Sequence, residues 1–297
     1  MSTSNNNNYS VLPFYDKLDE QNHRKAYAFG NVYPLYCLVN TILPFQIDLP
    51  DGITAQPLVW LVNFDSGDTI YISAQMQASG LRAYTVGEYR LIVYPSTMPL
   101  TGMNAAQGRY YLRLLCTLSN GTNKQYFSEV FTWILSTSTF LKVEWYDKEN
   151  LLLDDGVAVY KTDNYRIRHY LYLQTELGKP DYSFEEEGET RDGYFFPEKQ
   201  LSEKVYRFTF VAPEYLCDVM RFIRLSDYVT VTDPYGREYK CDTFLITPKW
   251  LTQGDLASVE CEFQTNTVAK KVGRSISAVE MGGDFNVDYN NDYNNEQ

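Results

Sequence analysis

The sequence predicts a mainly β protein built from two consecutive β domains, with one α-helix packed on the second. The 297 residues include 26 Tyr and 16 Phe, and aromatic and β-branched side chains fit a half-buried pleated surface better than a helix. Short runs of alternating apolar and polar residues follow one another, separated by turn signals. The chain length is typical of about two domains, each able to bury its own core.

Residues 28–136 are predicted to form the first domain, an immunoglobulin-like β-sandwich. Alternation at Tyr110, Leu112, Leu114 and Cys116 predicts a strand with one buried face, and Asn120-Gly121 predicts a tight hairpin turn after it. Tyr110 or Tyr111, at the start of this strand, resembles the tyrosine corner of immunoglobulin-like sandwiches. Further strands are predicted at 58–64, 69–74, 88–94 and 126–134.

Residues 137–273 are predicted to form the second domain, a β-barrel or sandwich, after a short polar linker at 136–139. Apolar residues at i, i+3, i+4 and i+7 from Leu216 predict a helix over residues 213–225, with Pro213 as its first residue. Asp233-Pro234-Tyr235-Gly236 predicts a hairpin turn. Strands are predicted at 141–145, 165–174, 206–210, 228–232, 238–247 and 258–264.

Three polar segments lie outside this pattern. Residues 1–27 and 274–297 are rich in Asn, Asp and Tyr but poor in aliphatic residues, and are interpreted as polar N-terminal and C-terminal arms. Residues 175–200 form an acidic connection that is too long for an ordinary hairpin loop. It contains three aromatic residues, which either pack on the domain itself or form a contact between subunits: Tyr194, Phe195 and Phe196.

Composition argues against several classes of protein. The net charge of −12 and the isoelectric point near 4.7 oppose the binding of nucleic-acid phosphates. No secretory signal is visible, and no apolar run is long enough to span a membrane. The five Cys residues are widely spaced without a paired motif, so they are expected to be buried thiols in a reducing place of synthesis.

The sequence contains no recognisable catalytic or metal-binding motif, so no enzyme activity and no cofactor is expected. His169 alternates within a strand and is interpreted as structural, while His23 lies in the polar arm. Asp147, Asp154 and Asp155 could gather around a cation, but a turn explains them better. Four glutamates could supply the carboxylate pair of a glycosidase, although their crowding is more typical of a solvated loop: Glu185, Glu186, Glu187 and Glu189.

The second domain resembles the β-barrel-with-helix domain of bacteriophage tail-tube and distal tail proteins, over about residues 140–272. The resemblance depends on the helix at 213–225, the hairpin around Asp233, and the ending at 256–263. In distal tail proteins the barrel commonly comes first, whereas here the sandwich precedes it. The Asn-rich, acidic and Tyr-rich composition is similar to that of tail proteins from phages that infect Bacteroidota.

This resemblance implies a structural virion component of a phage tail, tail ring or baseplate, made in the bacterial host cytoplasm. It implies assembly with copies of itself in a ring and with other tail or portal-connector proteins, without nucleic-acid sequence recognition or membrane insertion. The alternative is a carbohydrate-binding or adhesin module, in which exposed Tyr and Trp would stack on sugars. All four Trp residues fall in or beside strand patterns and are expected to be mostly core: Trp60, Trp133, Trp145 and Trp250.

Overall fold

The structure is a computed structural model of the 297-residue chain. It describes residues 10–16, 35–49, 53–86, 89–95, 97–103, 106–148, 151–153, 156–158, 161–162, 165–250, 256–265 and 269–272. The predicted C-terminal arm, residues 274–297, lies outside this part of the chain, as do His23, Asp154 and Asp155. The prediction of a mainly β protein is confirmed.

Ten strands form the first domain as two facing sheets. One sheet has the order β1-β9-β8-β10-β2, with β4 and β5 on the other side of β8, and the second has the order β3-β7-β6. The strands are β1 (Phe14–Tyr15), β2 (Leu35–Leu38), β3 (Phe45–Asp48), β4 (Leu58–Asn63), β5 (Thr69–Tyr71), β6 (Arg82–Val86), β7 (Tyr89–Tyr94), β8 (Gly108–Thr117), β9 (Asn123–Ser128) and β10 (Phe131–Ile134).

This arrangement supports a β-sandwich, and its immunoglobulin-like character stays a prediction. Strands β3, β7 and β6 form one sheet, and β8, β4 and β5 belong to the other. Between the two candidates for the tyrosine corner, the structure selects Tyr110, whose hydroxyl donates to the carbonyl of Ala106 at 2.9 Å. The predicted hairpin turn lies between β8 and β9, with Gly121 at φ 82°.

Two local predictions in the first domain were wrong. Residues 69–74 were expected to be one strand, but β5 ends at Tyr71 and helix α1 (Ser73–Ala78) follows. Residues 10–16 were assigned to a polar arm, yet β1 pairs with β9, and Val11 and Leu12 are completely buried. Their burial depends on pairing with residues more than a hundred positions away, which a local composition window cannot detect.

The second domain is an antiparallel half-barrel of eight strands. The predicted β-barrel is thus present as a half-barrel. Its order is β16-β11-β19-β20-β21-β18-β17, with β22 also on β18. The strands of this sheet are β11 (Leu141–Tyr146), β16 (His169–Leu173), β17 (Asp181–Arg191), β18 (Tyr194–Pro213), β19 (Tyr228–Thr232), β20 (Glu238–Trp250), β21 (Leu256–Thr265) and β22 (Ala269–Val272). Two short hairpins precede β16: β12 (Leu151–Leu153) with β13 (Gly156–Ala158), and β14 (Lys161–Thr162) with β15 (Tyr165–Arg166).

The helix predicted at 213–225 is present as α2 (Glu214–Met220), which continues as a 3₁₀ turn over Arg221–Leu225. Leu216, Val219 and Met220 are buried on its inner side, as the i, i+3, i+4 spacing requires. They share one core with the inward residues of the sheet, where strand alternation places Phe208 and Phe263. The helix therefore covers the apolar face of the half-barrel over β18 and β21.

The two domains pack against each other next to the connection at 136–139. The rings of Tyr36 and Phe140 lie 4.7 Å apart, and the hydroxyl of Tyr36 donates to the side chain of Gln174 at 3.5 Å. Tyr170, from the edge strand β16 of the half-barrel sheet, is 4 % exposed and belongs to the same hydrophobic cluster as Cys37 of the sandwich. One core thus extends through both domains.

Candidate functional site

The acidic connection at 175–200, predicted as a loop, is mostly a β-hairpin. Strands β17 and β18 form an antiparallel hairpin, in which the pairing runs from Asp181 opposite Val205 to Arg191 opposite Tyr194. We call this hairpin the β-arm (residues 181–205). Residues 175–180, which precede the β-arm, are not part of a strand. They lie beside β18, where the amide of Gly178 donates to the carbonyl of Arg207 at 2.9 Å. The prediction of a loop was therefore wrong.

The turn at the tip of the β-arm explains how an acidic sequence forms a hairpin. Asp192 and Gly193 have φ angles of 51° and 81°, which are the left-handed values that a two-residue hairpin turn of type I′ requires. Asp-Gly is among the strongest sequence signals for this turn. This turn signal is present in the sequence. The run of glutamates before it favours a loop instead, because Glu is depleted in strands.

The base of the β-arm is fixed to the half-barrel by charged side chains. The Nε of Arg207 donates to the carboxylate of Glu262 at 2.7 Å, and its guanidinium also pairs with Asp181. Further out, β22 pairs with residues 199–202 of β18. These contacts hold the root of the hairpin in line with the sheet.

The outer part of the β-arm projects beyond its neighbours. From Gly188 and Pro197 to the turn, the described strand pairings of β17 and β18 are only with each other. At 3.3–3.4 Å per residue, this segment is roughly 15 Å long. A β-bulge between Glu187 and Gly188 shifts the register where the projection begins, and such bulges change the direction of a hairpin.

Large aromatic side chains are exposed along the β-arm. Tyr194 is 73 % and Phe184 72 % exposed, and Tyr182 and Phe195 are also exposed. Phe184 lies opposite Ser202 on the sheet face that carries Tyr206 and Phe208 further along β18. The arm therefore extends the apolar face of the half-barrel past the region covered by α2.

Of the three predicted interface residues, the structure places two at the tip. Tyr194 pairs with Arg191 and Phe195 with Thr190, so successive side chains point to opposite faces of the hairpin. Phe196 pairs with Glu189 in the backbone register, but its side chain lies outside the described part. Tyr182 and Phe184 were missed because the sequence alone gave no register for β17.

Acidic residues surround these aromatic side chains. The β-arm, residues 181–205, contains eight acidic and three basic side chains. Two of the glutamates have partners across the hairpin: Gln200 donates to Glu186 at 2.8 Å, and Lys199 lies 3.4 Å from Glu187. The glutamates considered as glycosidase carboxylates are thus exposed on a projecting hairpin, where no burial would hold one of them protonated.

His169 is a core residue in β16. It is 3 % exposed and its ring stacks on Trp145 with centroids 5.5 Å apart. Burial lowers its pKa to about 3, which keeps the imidazole neutral at physiological pH. Within the described ranges, His, Cys, Asp and Glu side chains form no group of three that could hold a metal ion.

Asp147, the described member of the proposed cation cluster, instead helps to fix a turn. Its Oδ1 accepts a hydrogen bond from the amide of Asp227 at 3.1 Å, and Asp227 accepts one from the amide of Lys148 at 2.6 Å. Burial, with a smaller contribution from the charge of Asp227, raises the pKa of Asp147 above its ordinary value. These bonds connect the end of β11 to the start of β19.

The cysteines lie in apolar surroundings. Cys37, Cys116, Cys217 and Cys261 are buried, Cys241 is half-buried, and all five are free thiols. Burial raises their pKa values well above the ordinary thiol value, to about 12 for Cys116 and Cys241 and to about 11 for Cys217. Since the thiolate is the reactive form, these residues are poor nucleophiles.

The tryptophans divide into two groups. Trp133 and Trp145 are buried in the core, whereas Trp60 is half-buried and Trp250 is 51 % exposed at the end of β20. The expectation that Trp is mostly core is met by the first two. Trp250 is a surface ring that could contact a ligand or a partner.

Comparisons with known proteins assign no family to the chain: no family model matches it, and no curated protein is similar to it. Among the described helices, none is long and apolar enough to cross a membrane.

Proposed function

We propose that the chain is a structural component of a phage tail, tail ring or baseplate, which assembles through contacts made by the β-arm. The observation that carries this proposal is the projecting hairpin with exposed Phe184, Tyr194 and Phe195. An arm of this kind has no evident use in an isolated subunit, because it exposes apolar area that folding could otherwise bury. The half-barrel with one packed helix and the likeness to tail-tube domains support a place in a virion.

The energetics favour a protein contact at the arm. Full burial of an aromatic side chain contributes about 1.5–3 kcal/mol, and a few such residues often dominate an interface. The surrounding carboxylates keep the free subunit soluble and direct it toward a basic partner. The arm thus combines apolar anchors with a charge that selects what they bind.

The partners are copies of the same chain in a ring, together with other tail or portal-connector proteins. A projecting arm and the surface that receives it are different parts of the subunit, so contact between copies is heterologous. Such contacts close into a ring when the rotation between subunits permits. The site of action is the virion tail, and the contact requires neither a cofactor nor catalysis.

The test is the molar mass of the full chain, measured by light scattering, with negative-stain imaging of the particles. We expect the wild-type chain to form oligomers and the double variant Phe184→Ser/Tyr194→Ser to remain a monomer, because the variant loses the two most exposed of the arm's anchors. Tyr235→Ser is the matched control, since Tyr235 is 86 % exposed at the turn between β19 and β20. The control should assemble like the wild type.

A wild-type chain that stays monomeric across the accessible concentration range would contradict assembly by this protein. Equal assembly of the wild type and the arm variant would instead remove the arm from the contact. Circular dichroism of each variant shows whether the fold is retained. Because both substituted side chains are exposed, we expect the fold to be unchanged.

A carbohydrate-binding module is the second candidate, favoured by the exposed ring of Trp250. Aromatic rings at a surface can stack on sugars, and Trp250 lies at a strand end where a ligand can reach it. The measurement is intrinsic fluorescence during titration with polysaccharides, using Trp250→Ala for comparison. A saturable change in the wild type that is lost in the variant would favour this alternative over the assembly role.

A further inference from the structure

A second exposed apolar surface lies on the first domain, on the outer face of its larger sheet. Leu58 is 39 % and Tyr71 52 % exposed, and the ring of Tyr71 lies 5.6 Å from that of the half-buried Trp60. The register places Trp60 opposite both Tyr71 in β5 and Arg113 in β8. We call Leu58, Trp60, Tyr71 and Arg113 the aromatic patch.

The charge of the aromatic patch is positive. The guanidinium of Arg113 lies 4.9 Å above the ring of Trp60 and is part of the surface. Arg109, four residues before it and on the same face of β8, pairs with Asp65 of the β4–β5 turn. That turn lies at the opposite end of β4 from Leu58, so its carboxylates are remote from the patch.

We propose that the β-arm of one copy of this chain docks on the aromatic patch of a second copy. This inference rests on the proposed function and adds the surface that receives the arm. Both surfaces present exposed aromatic rings, which pack well against one another. Their charges are opposite, since the arm is strongly acidic and the charged side chain of the patch is an arginine.

Charge also disfavours the obvious competitor, pairing of two β-arms edge to edge. The outer edge of β17 is the end of the half-barrel sheet in the described strand order and could pair with a second strand. Its run from Glu185 to Glu187 would then face the same acidic run in the other copy, and like charges across a strand pair are destabilising. The aromatic patch offers the arm an arginine instead.

The geometry of the patch suits an incoming hairpin. Strand β5 is the edge of its sheet and all three of its residues are exposed, so an arm can approach without displacing another described strand. Arm and patch lie on different domains of one chain. Each copy therefore offers one arm and one patch, and the contact repeats from subunit to subunit.

The first experiment compares two full-chain variants with an equal change in charge. Arg113→Glu reverses the charge of the patch and should weaken self-association by more than about tenfold in dissociation constant, as measured by sedimentation velocity. Arg221→Glu is the control, because the guanidinium of Arg221 also lies 4.9 Å above an aromatic ring, that of Phe222, while Arg221 lies on the second domain away from the patch. The control should associate like the wild type.

The second experiment mixes the patch variant Arg113→Glu with the arm variant Phe184→Ser/Tyr194→Ser. At a protein concentration below the weakened dissociation constant of Arg113→Glu, each variant is expected to be monomeric alone. In the mixture, the intact arm of the first can dock on the intact patch of the second, so a one-to-one heterodimer should form and grow no further. A label on one variant distinguishes this heterodimer from either monomer.

The outcomes separate this inference from the proposed function. If the arm variant loses assembly while Arg113→Glu keeps it, the arm binds elsewhere, and only the docking surface proposed here is wrong. If the two variants fail to form a heterodimer when mixed, the arm and the patch do not meet. If the wild-type chain does not self-associate, both proposals fail together.

Discussion

Trp133→Ala is expected to lower the free energy of unfolding by about 3–5 kcal/mol, the usual cost of truncating a buried Trp. Trp133 is completely buried in β10, and its Nε1–H donates to the carbonyl of Thr41 at 2.6 Å. Its ring packs 4.6 Å from that of Tyr110, the residue of the tyrosine corner. The substitution therefore opens a cavity and removes the hydrogen bond that holds the chain after β2.

Two further variants separate these contributions in urea unfolding of the full chain. Trp133→Phe keeps most of the ring volume but removes the donor to Thr41, so a smaller loss of about 1–3 kcal/mol is expected. Trp250→Ala removes the same side chain from a half-exposed position and should cost less than about 1 kcal/mol. Similar losses for Trp133→Ala and Trp250→Ala would show that the core does not depend on Trp133.

The sequence predicts those elements whose signals are local. Alternation along β11 and β21 is visible directly in the sequence, and their inward residues Val143, Trp145 and Phe263 are buried as expected. The helix after Pro213 likewise follows from the spacing of its apolar residues. In these elements propensity, pattern and turn chemistry all favour the same structure.

The β-arm was missed because its signals conflict. The Asp192-Gly193 turn favours a hairpin, while the glutamates before it disfavour strands. Backbone pairing between β17 and β18, with support from Lys199 and Gln200 across the strands, decides in favour of the hairpin. The sequence identified Tyr194 and Phe195 as candidate interface residues, but only the register brings Phe184 to the same arm.

The aromatic patch could not be found from the sequence because its members come from three strands. Leu58 and Trp60 belong to β4, Tyr71 to β5 and Arg113 to β8. Trp60 has the alternation expected of a core residue, and only the two-sheet arrangement shows that it lies on the outer face. Which face of a strand is buried is a property of the whole sandwich.

Acidification is expected to destabilise the protein through His169, the second of the two large effects. Burial holds the pKa of its imidazole at about 3 in the folded chain, against an ordinary value near 6.5. Between these two pH values the unfolded chain binds a proton that the folded chain does not. This contribution to stability is therefore complete above about pH 6.5, and it falls by about 1.4 kcal/mol for each pH unit below that.

The variant that isolates this effect is His169→Phe, which can still stack on Trp145 but cannot be protonated. Between pH 7.5 and pH 5, where carboxylates contribute little, the wild type should lose about 2 kcal/mol more than the variant. Urea unfolding of both proteins at a series of pH values measures this difference directly. His23 is present in both proteins and cancels in the comparison. Parallel pH profiles would mean that His169 reaches solvent and is protonated without unfolding, whereas profiles that diverge below pH 6.5 would establish it as a neutral core residue.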